Sequence, residues 1–196
     1  MVRLAKYTEN NFIDSAIDIA AQCGVASVSM SAIAVKVGAP IGSVYHRFDS
    51  RSAILARAWL KVKSDFRREV AQFWEQGNTW PAVLALLNWC RNKPAYARFL
   101  LQFEDFPDFG GALPAELKAQ LEAEQAELDV CFERCAGIFE CDTEITRHHL
   151  RFALIDAPIA IVKPYLSQNQ EIPVNVETIL RASHDAVCAL NMTSIN

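Results

Sequence analysis

The stretch that decides the fold is residues 24–55, which read GVASVSMSAIAVKVGAPIGSVYHRFDSRSAIL. Ser29 or Ser31 can cap a brief helix that ends at Gly38. Pro40 then suits the first turn of a further short helix, because its missing N–H costs nothing at that position. Two short helices joined by a tight, glycine-containing turn have the layout of a helix-turn-helix.

The second of these helices, about residues 40–48, suits the major groove of duplex DNA, which is about 12 Å wide. Val44 and Phe48 are four residues apart, so both face the supporting helices. The remaining side chains are small enough for close approach to DNA or can donate hydrogen bonds, and they are Pro40, Ile41, Gly42, Ser43, Tyr45 and His46. This helix is therefore predicted to be the recognition helix.

The chain on both sides of this stretch also has helical periodicity. Thr8 can cap a first helix that Gly24 stops, and Ser50 can cap a long fourth helix that reaches about Glu75. Asp142 can cap the penultimate helix, and Pro158 predicts a kink inside that helix. We predict an all-α fold of about nine helices.

This stretch resembles the N-terminal DNA-binding domain of TetR-type (tetracycline-repressor-like) transcriptional regulators. The resemblance covers about residues 8–60, and beyond them it rests only on length and the all-helical pattern. The positions that match the family pattern are Gly24, Ser29, Ile33-Ala34, Val37-Gly38-Ala39, Gly42-Ser43-Val44-Tyr45, Phe48, Ser50 and Ile54-Leu55.

The resemblance implies roles for individual side chains in DNA binding. Ser29 and the amides that open its helix would hold a phosphate, and Tyr45 would reach the backbone through its hydroxyl. Arg51 stands where the family usually has lysine, and it would pair with phosphate. The predicted DNA contacts are Ser29, Ser31, Pro40, Ile41, Gly42, Ser43, Tyr45, His46, Arg47 and Arg51. Arg47 replaces the usual histidine before Phe48, and Pro40 and Ile41 replace more polar residues, so the operator sequence cannot be read from these positions.

The resemblance also implies the organisation of the whole protein. Residues 1–52 would be the DNA-binding domain, and residues 53–196 a helical domain for ligand binding and dimerisation, reached through the long fourth helix. The expected function is that of a homodimeric repressor, which binds a palindromic DNA operator and is released by a small apolar effector. We expect no enzymatic activity, cofactor or bound metal.

Small residues along the penultimate helix and apolar residues on the last helix favour a dimer interface. The predicted interface residues are Leu150, Ala153, Leu154, Ala157, Ile161, Val176, Ile179, Ser183 and Val187. The same pattern would also suit an intramolecular core, and this alternative stays open. The effector site is predicted from clustered aromatic residues and from Asp156, which lies inside an apolar stretch. Its candidate residues are Trp89, Phe99, Phe103, Phe106, Cys131, Cys135, Phe152 and Asp156.

Composition and charge exclude several classes of protein. The 196 residues are 52% hydrophobic and 21% charged, which is typical of a globular protein. We expect a cytoplasmic location, because no apolar run approaches the roughly 18 residues that span a membrane and no secretory signal opens the chain. Residues 1–68 hold 10 basic and 5 acidic residues within a chain of net charge −4, so one end is expected to meet a polyanion.

Two other functions remain as alternatives to an effector-responsive regulator. Cys131 and Cys135 are four residues apart on one predicted helix, and His148 and His149 follow nearby, so a thiol or metal sensor is the second hypothesis. An enzyme is a remote third, since the sequence has no recognisable catalytic motif.

Overall fold

The computed structural model describes residues 7–103 and 108–193, with side chains up to Leu190, and all regular elements among them are helical. These residues form nine helices when helical segments that follow one another without a break are joined, so the predicted all-α class is confirmed. The simple helices are α1 (Glu9–Cys23), α2 (Met30–Val37), α3 (Ile41–Tyr45), α5 (Thr79–Asn92), α6 (Pro94–Leu100), α7 (Ala115–Ile138) and α9 (Val176–Thr193). No helix in the described part of the chain is long and apolar enough to cross a membrane.

The two remaining helices each contain a π-helical segment. Helix α4 consists of Arg51–Phe66, the π-helical segment Arg67–Ala71, and Gln72–Glu75. Helix α8 consists of Glu144–Arg151, the π-helical segment Phe152–Asp156, and Ala157–Ser167. Pro158 follows the second π-helical segment, so the structure accommodates the proline with a wider helical turn directly before it.

Capping residues set most of the helix ends where the sequence predicts them. The Thr8 hydroxyl accepts a hydrogen bond from the Asn11 N–H, and α1 ends at Gly24, whose φ is +85°. The Ser50 hydroxyl accepts from the Ala53 N–H at 3.1 Å at the start of α4.

Two boundary predictions were wrong. Helix α3 ends at Tyr45 rather than continuing to Phe48, because the chain turns at residues 46–47 to bring Phe48 into the core. Helix α8 is capped by Thr143 rather than Asp142, and the Thr143 hydroxyl accepts from the Thr146 N–H at 3.1 Å.

The described chain forms two compact units, each with its own core. The first consists of the described residues within 1–63 and 95–124, and the second of those within 64–94 and 125–196. Phe12 and Phe48 meet edge to face in the first core, with ring centres 6.3 Å apart. Trp74, Leu87 and Leu154 are among the fully buried side chains of the second core. The predicted functional boundary at residues 52/53 stays a prediction.

Candidate nucleic-acid interface

Helix α2 is fixed at both ends by local hydrogen bonds. The Ser29 hydroxyl accepts from the Ala32 N–H at 3.1 Å, so it is the N-cap that the sequence predicts. Gly38 has a left-handed φ of +70°, and the following Ala39 N–H donates to the Ala34 carbonyl at 2.9 Å. The left-handed glycine turns the chain directly into α3, so the angle between the two helices depends on this position.

Helix α3 presents the face that the sequence predicts. Val44 is fully buried and Phe48 is 2% exposed, and both hold the helix against its support. The exposed residues on the opposite side are Pro40, Ile41, Gly42, Tyr45 and His46, whereas Ser43 is half-buried. Ser29 and Ser31 are exposed at the start of α2. The two helices therefore form a compact helix-turn-helix with small, apolar and hydrogen-bonding side chains on its outer surface.

Arg51 donates hydrogen bonds inside the protein. Its Nε donates to the Val28 carbonyl at 2.6 Å and its Nη2 to the Val25 carbonyl at 2.7 Å. Val25 and Val28 belong to the short 3₁₀ turn and its end, which lead into α2. The guanidinium therefore ties the start of α4 to the approach to α2, which is a structural role that the sequence did not reveal.

Arg47 has a similar internal role. Its Nη1 donates to the Ser43 carbonyl at 3.0 Å and its Nη2 to the Tyr7 carbonyl at 2.9 Å. The guanidinium carbon lies 5.6 Å from the centre of the Phe12 ring. Both arginines predicted to contact DNA thus support the domain in this structure, and their contact with DNA stays a prediction.

The exposed apolar surface extends beyond the predicted contacts. Val35 on α2 is 82% exposed, Ile41 is 45% exposed and Tyr45 is 56% exposed. Val35 is not among the contacts predicted from the sequence, because an isolated valine in a helical stripe is ordinarily a core residue. An exposed side chain of this kind can contact thymine methyl groups or sugars in a DNA complex.

Ion pairs offset part of the positive charge of the N-terminal unit. Arg57 lies 3.3 Å from a Glu9 carboxylate oxygen, and Lys61 pairs with Asp14. Lys36 pairs with Asp18 at 3.6 Å on the surface. The basic excess over residues 1–68 already counts these three carboxylates, so the ion pairs change where the charge lies and not its net value.

The candidate effector residues belong to two different compact units. Trp89, Cys131 and Cys135 are buried in the second unit. Phe99 and Phe103 belong to the first unit, where their ring centres are 4.9 Å apart, and Phe103 packs against Phe109 at 5.6 Å. Phe106 lies outside the described residues.

Two further candidates, Phe152 and Asp156, lie at the surface of the second unit. Phe152 is 45% exposed, and an Asp156 carboxylate oxygen lies 3.6 Å from Arg151 Nε. Their assignment to an effector site stays a prediction.

The predicted interface residues fall into a buried and an accessible group. Leu150, Ala153, Leu154 and Val176 are buried within the unit, as the alternative of an intramolecular core expects. Ala157, Ile161, Ser183 and Val187 are half-buried, and Ile179 is 58% exposed. The exposed side of α9 carries apolar and small residues at helical spacing, and these are Ile179, Ala182, Ala186 and Leu190.

The thiols of the alternative hypothesis are buried. Burial raises the pKa of the Cys135 thiol to about 12, and burial together with the nearby Glu75 raises that of Cys131 to about 11. Such thiols stay protonated at neutral pH, whereas reactive cysteines have a lowered pKa. Over residues 7–103 and 108–193 no three His, Cys, Asp or Glu side chains are placed to hold a metal ion.

An exposed recognition helix on an internally braced support defines a helix-turn-helix DNA-binding domain. Residues 12–58 match the family described as bacterial regulatory proteins, tetR family. No curated protein matches the sequence. The predicted resemblance is confirmed: the N-terminal domain matches the TetR family over residues 12–58.

Solved structures extend the likeness to the whole chain. A TetR family transcription regulator from Marinobacter aquaeolei VT8 is 14% identical, with a TM-score of 0.67 over 91% of this chain and 94% of that chain. A transcriptional regulator from Rhodococcus sp. Rha1 is 15% identical, with a TM-score of 0.66 over 96% and 97%. The multidrug binding protein EbrR, complexed with imidazole, is 16% identical, with a TM-score of 0.52 over 91% and 93%. At these identities the likeness shows a common fold.

Proposed function

We propose that the protein is a homodimeric transcriptional repressor that binds a twofold-symmetric DNA operator and releases it when a small apolar effector binds. The observation that carries the DNA-binding part is the outer face of α3. Val44 and Phe48 hold this short helix from behind, while Ile41 and Tyr45 remain 45% and 56% exposed. A monomeric globular domain gains nothing from exposing this apolar surface, whereas a DNA groove would cover it.

Each exposed residue of α3 suits a particular kind of DNA contact. Gly42 allows the backbone to approach the base edges closely, and Pro40 and Ile41 suit thymine methyl groups. The Tyr45 hydroxyl can donate to a phosphate, and the Ser29 hydroxyl can do so while it caps α2. Phosphate contacts would fix the position of the domain on DNA, and the contacts of α3 would select the sequence.

The exposed side of α9 supports dimerisation. Ile179 and Leu190 are more than half exposed, and the exposed Ala182 and Ala186 lie between them along the helix. Small residues between larger apolar ones allow two helices to approach closely, so this side of α9 suits a second copy of the chain. A dimer would place two α3 helices on half-sites about one turn of DNA apart, or a multiple of it.

Helix α4 is suited to connect effector binding with DNA binding. It begins at the arginine that ties down the approach to α2, and its π-helical segment Arg67–Ala71 packs against α5 in the second unit. The small-molecule complex of EbrR supports effector binding by a protein of this fold. A coupling free energy of about 1–3 kcal/mol would weaken operator binding roughly 5- to 150-fold.

Selection of bound sequences from random duplex DNA tests the proposed DNA binding. We expect a twofold-symmetric consensus and an affinity that falls steeply with salt. With the selected duplex, Tyr45→Phe removes one hydroxyl from the outer face and is expected to weaken binding about fivefold. Gln72→Ala changes an exposed residue of α4 in the second unit and serves as the control. Failure to enrich any sequence at low salt would refute the proposal.

A further inference from the structure

The indole N–H of Trp74 is a buried donor without an acceptor. The Trp74 side chain is 2% exposed, and its Nε1 hydrogen-bonds to no atom within the described chain. Buried donors are nearly always paired, because an unpaired one loses its hydration with no compensation. The missing acceptor is therefore expected to come from a molecule outside the chain.

Trp74 lies in an aromatic cluster of the second unit, the Trp74 cluster, which consists of Phe66, Trp74, Trp89 and Phe132. The ring centres of Phe66 and Phe132 lie 5.9 Å and 6.3 Å from that of Trp74, both edge to face. Trp89 packs on Phe66 at 5.4 Å. Phe66 and Phe132 are partly exposed, so an apolar molecule can reach the cluster along these two rings.

The neighbouring polar groups already have partners. The second buried indole of the cluster, that of Trp89, donates to Asp65 Oδ2 at 2.8 Å. The Asp65 carboxylate also accepts from Lys93 Nζ at 2.7 Å and from Arg68 Nη2 at 2.6 Å. Because two cations compensate this carboxylate, the cluster does not present an unbalanced negative charge to a cationic ligand. The Trp74 N–H is therefore the hydrogen-bond donor of the cluster that lacks a partner. A ligand that pairs with it must carry a hydrogen-bond acceptor.

We infer that the Trp74 cluster binds a neutral aromatic molecule whose oxygen accepts a hydrogen bond from Trp74 Nε1. The aromatic part would stack against Phe66 and Phe132, whose edge-to-face arrangement suits a further ring. This inference rests on the proposed function, because the bound molecule would act as the effector. The sequence predicts only an apolar effector, whereas the Trp74 cluster suits neutral aromatic molecules that carry an acceptor oxygen. Aryl ketones are the simplest members of this class.

Acetophenone and α-methylstyrene are a matched pair of probes, since a CH₂ group in the second replaces the carbonyl oxygen of the first. Titrations followed by ¹⁵N–¹H spectra of the four tryptophan indoles give both affinity and site. We expect acetophenone to bind about fivefold or more tightly than α-methylstyrene. We also expect the Trp74 indole proton to move downfield with the ketone and not with the alkene.

Two variants complete the test. Trp74→Phe keeps the ring and removes the N–H, so the preference for the ketone is expected to vanish. Trp80→Phe, which changes a tryptophan outside the cluster, is expected to retain it. Equal binding of the two probes to the wild-type protein would overturn the inference, as would a ketone preference that persists in Trp74→Phe or a Trp74 resonance that ignores the ketone.

Operator binding is measured separately on the same proteins. A Trp74→Phe protein that binds the selected duplex normally shows that the fold is intact. Equal binding of the two probes to a wild-type protein that binds its operator contradicts the inference alone. Absence of operator binding together with normal ketone binding contradicts the proposed function alone.

Discussion

Arg51 shows how a side chain at a position expected to contact DNA can instead determine local structure. The Val25 and Val28 carbonyls lie in the segment between α1 and α2, and the guanidinium binds both. The planar fork of arginine can reach two carbonyls at once, which a lysine ammonium does less well. At the residue scale, this position therefore orients α2 and, through Gly38, the recognition helix.

Replacing Arg51 separates its structural role from DNA contact. Arg51→Ala is expected to lower the free energy of unfolding by about 1–3 kcal/mol, because it leaves carbonyls without their charged donor. Urea unfolding followed by circular dichroism measures this loss. Arg51→Lys is expected to recover only part of it. The slope of log affinity against log salt should be unchanged, whereas a decrease of about 1 would show a phosphate contact.

Asp65 is a buried carboxylate whose partners determine its ionisation. Burial alone would raise the pKa of Asp65, but hydrogen bonds from Lys93 and Trp89 and the charges of Lys93 and Arg68 outweigh burial and lower it. Since the pKa is lower in the folded than in the unfolded chain, ionised Asp65 stabilises the fold above the unfolded pKa of about 3.9. That contribution is lost as the pH falls through the folded-state pKa.

Asp65→Asn is therefore expected to destabilise the protein in a pH-dependent way. At pH 7 the free energy of unfolding should fall by about 1–3 kcal/mol, because the charged hydrogen bonds are weakened. The variant and the wild-type protein should begin to converge below about pH 4 and converge fully below the folded-state pKa of Asp65. Urea titrations between pH 3 and pH 8 measure both curves. A difference that does not depend on pH would contradict the role of the charge.

Among the elements, the α2–α3 pair shows how two glycines serve different purposes. Gly38 has a positive φ of +70°, so a side chain there is strained even though no atom lies within 4 Å of an added Cβ. Gly42 is in α3 with ordinary helical geometry, and an added Cβ there also meets nothing within 4 Å. Gly38 is therefore required by the backbone conformation of the turn, whereas Gly42 leaves open space on the outer side of α3.

The two glycine-to-alanine substitutions are expected to act in opposite ways. Gly38→Ala should lower the free energy of unfolding by about 1–2 kcal/mol, because it forces a Cβ into the left-handed region. Gly42→Ala should leave stability unchanged or raise it by up to about 1 kcal/mol, since alanine is the better helix former. Gly42→Ala should nevertheless weaken operator binding about tenfold, because its methyl group would separate α3 from the bases. Normal operator binding by Gly42→Ala would contradict the proposed orientation of α3.

The sequence predicted those features of the helices that depend on neighbouring residues. Thr8, Ser29 and Ser50 cap helices where they were expected, and Gly24 and Gly38 end them, because capping is local chemistry. The outer face of α3 followed from the four-residue spacing of Val44 and Phe48.

Long-range contacts could not be predicted in this way. The two carbonyls bound by Arg51 lie 23 and 26 residues away along the chain, and no local sequence pattern predicts these hydrogen bonds. The sequence also could not show which of the candidate effector residues share a unit, since aromatic stripes do not show which helices pack together. Trp74 could not be identified as a candidate ligand-binding residue from the sequence, because its distinguishing feature is an indole N–H without an acceptor in the described chain.

At the scale of the whole molecule, the surface of α9 requires an explanation. Ile179, Ala182, Ala186 and Leu190 occupy successive turns of one exposed side. Four of the nine predicted interface residues pack inside the second unit and are buried there. We therefore expect the interface to lie on the outer side of α9. We therefore expect the dimer to depend on Ile179 more than on Leu150 or Val176.

Ile179→Glu tests this expectation directly. A charge at a 58% exposed site should not disturb folding, but it should raise the dimer dissociation constant at least tenfold if two α9 helices meet there. Sedimentation equilibrium gives the dissociation constant, and circular dichroism checks the helical content. Gln168→Glu adds the same charge at another exposed position of the second unit and should leave the dimer intact. A wild-type protein that sediments as a monomer would contradict the proposed assembly.

The shortness of α3 has a consequence for how such proteins change over generations. Five residues are too few for a helix that is stable by itself, so the shape of this segment comes from the groups behind it. Mutations at Pro40, Ile41, Tyr45 or His46 therefore leave the folding of the domain nearly untouched. A duplicated gene can acquire a new set of regulated promoters through a few codon changes, without first losing a functional protein.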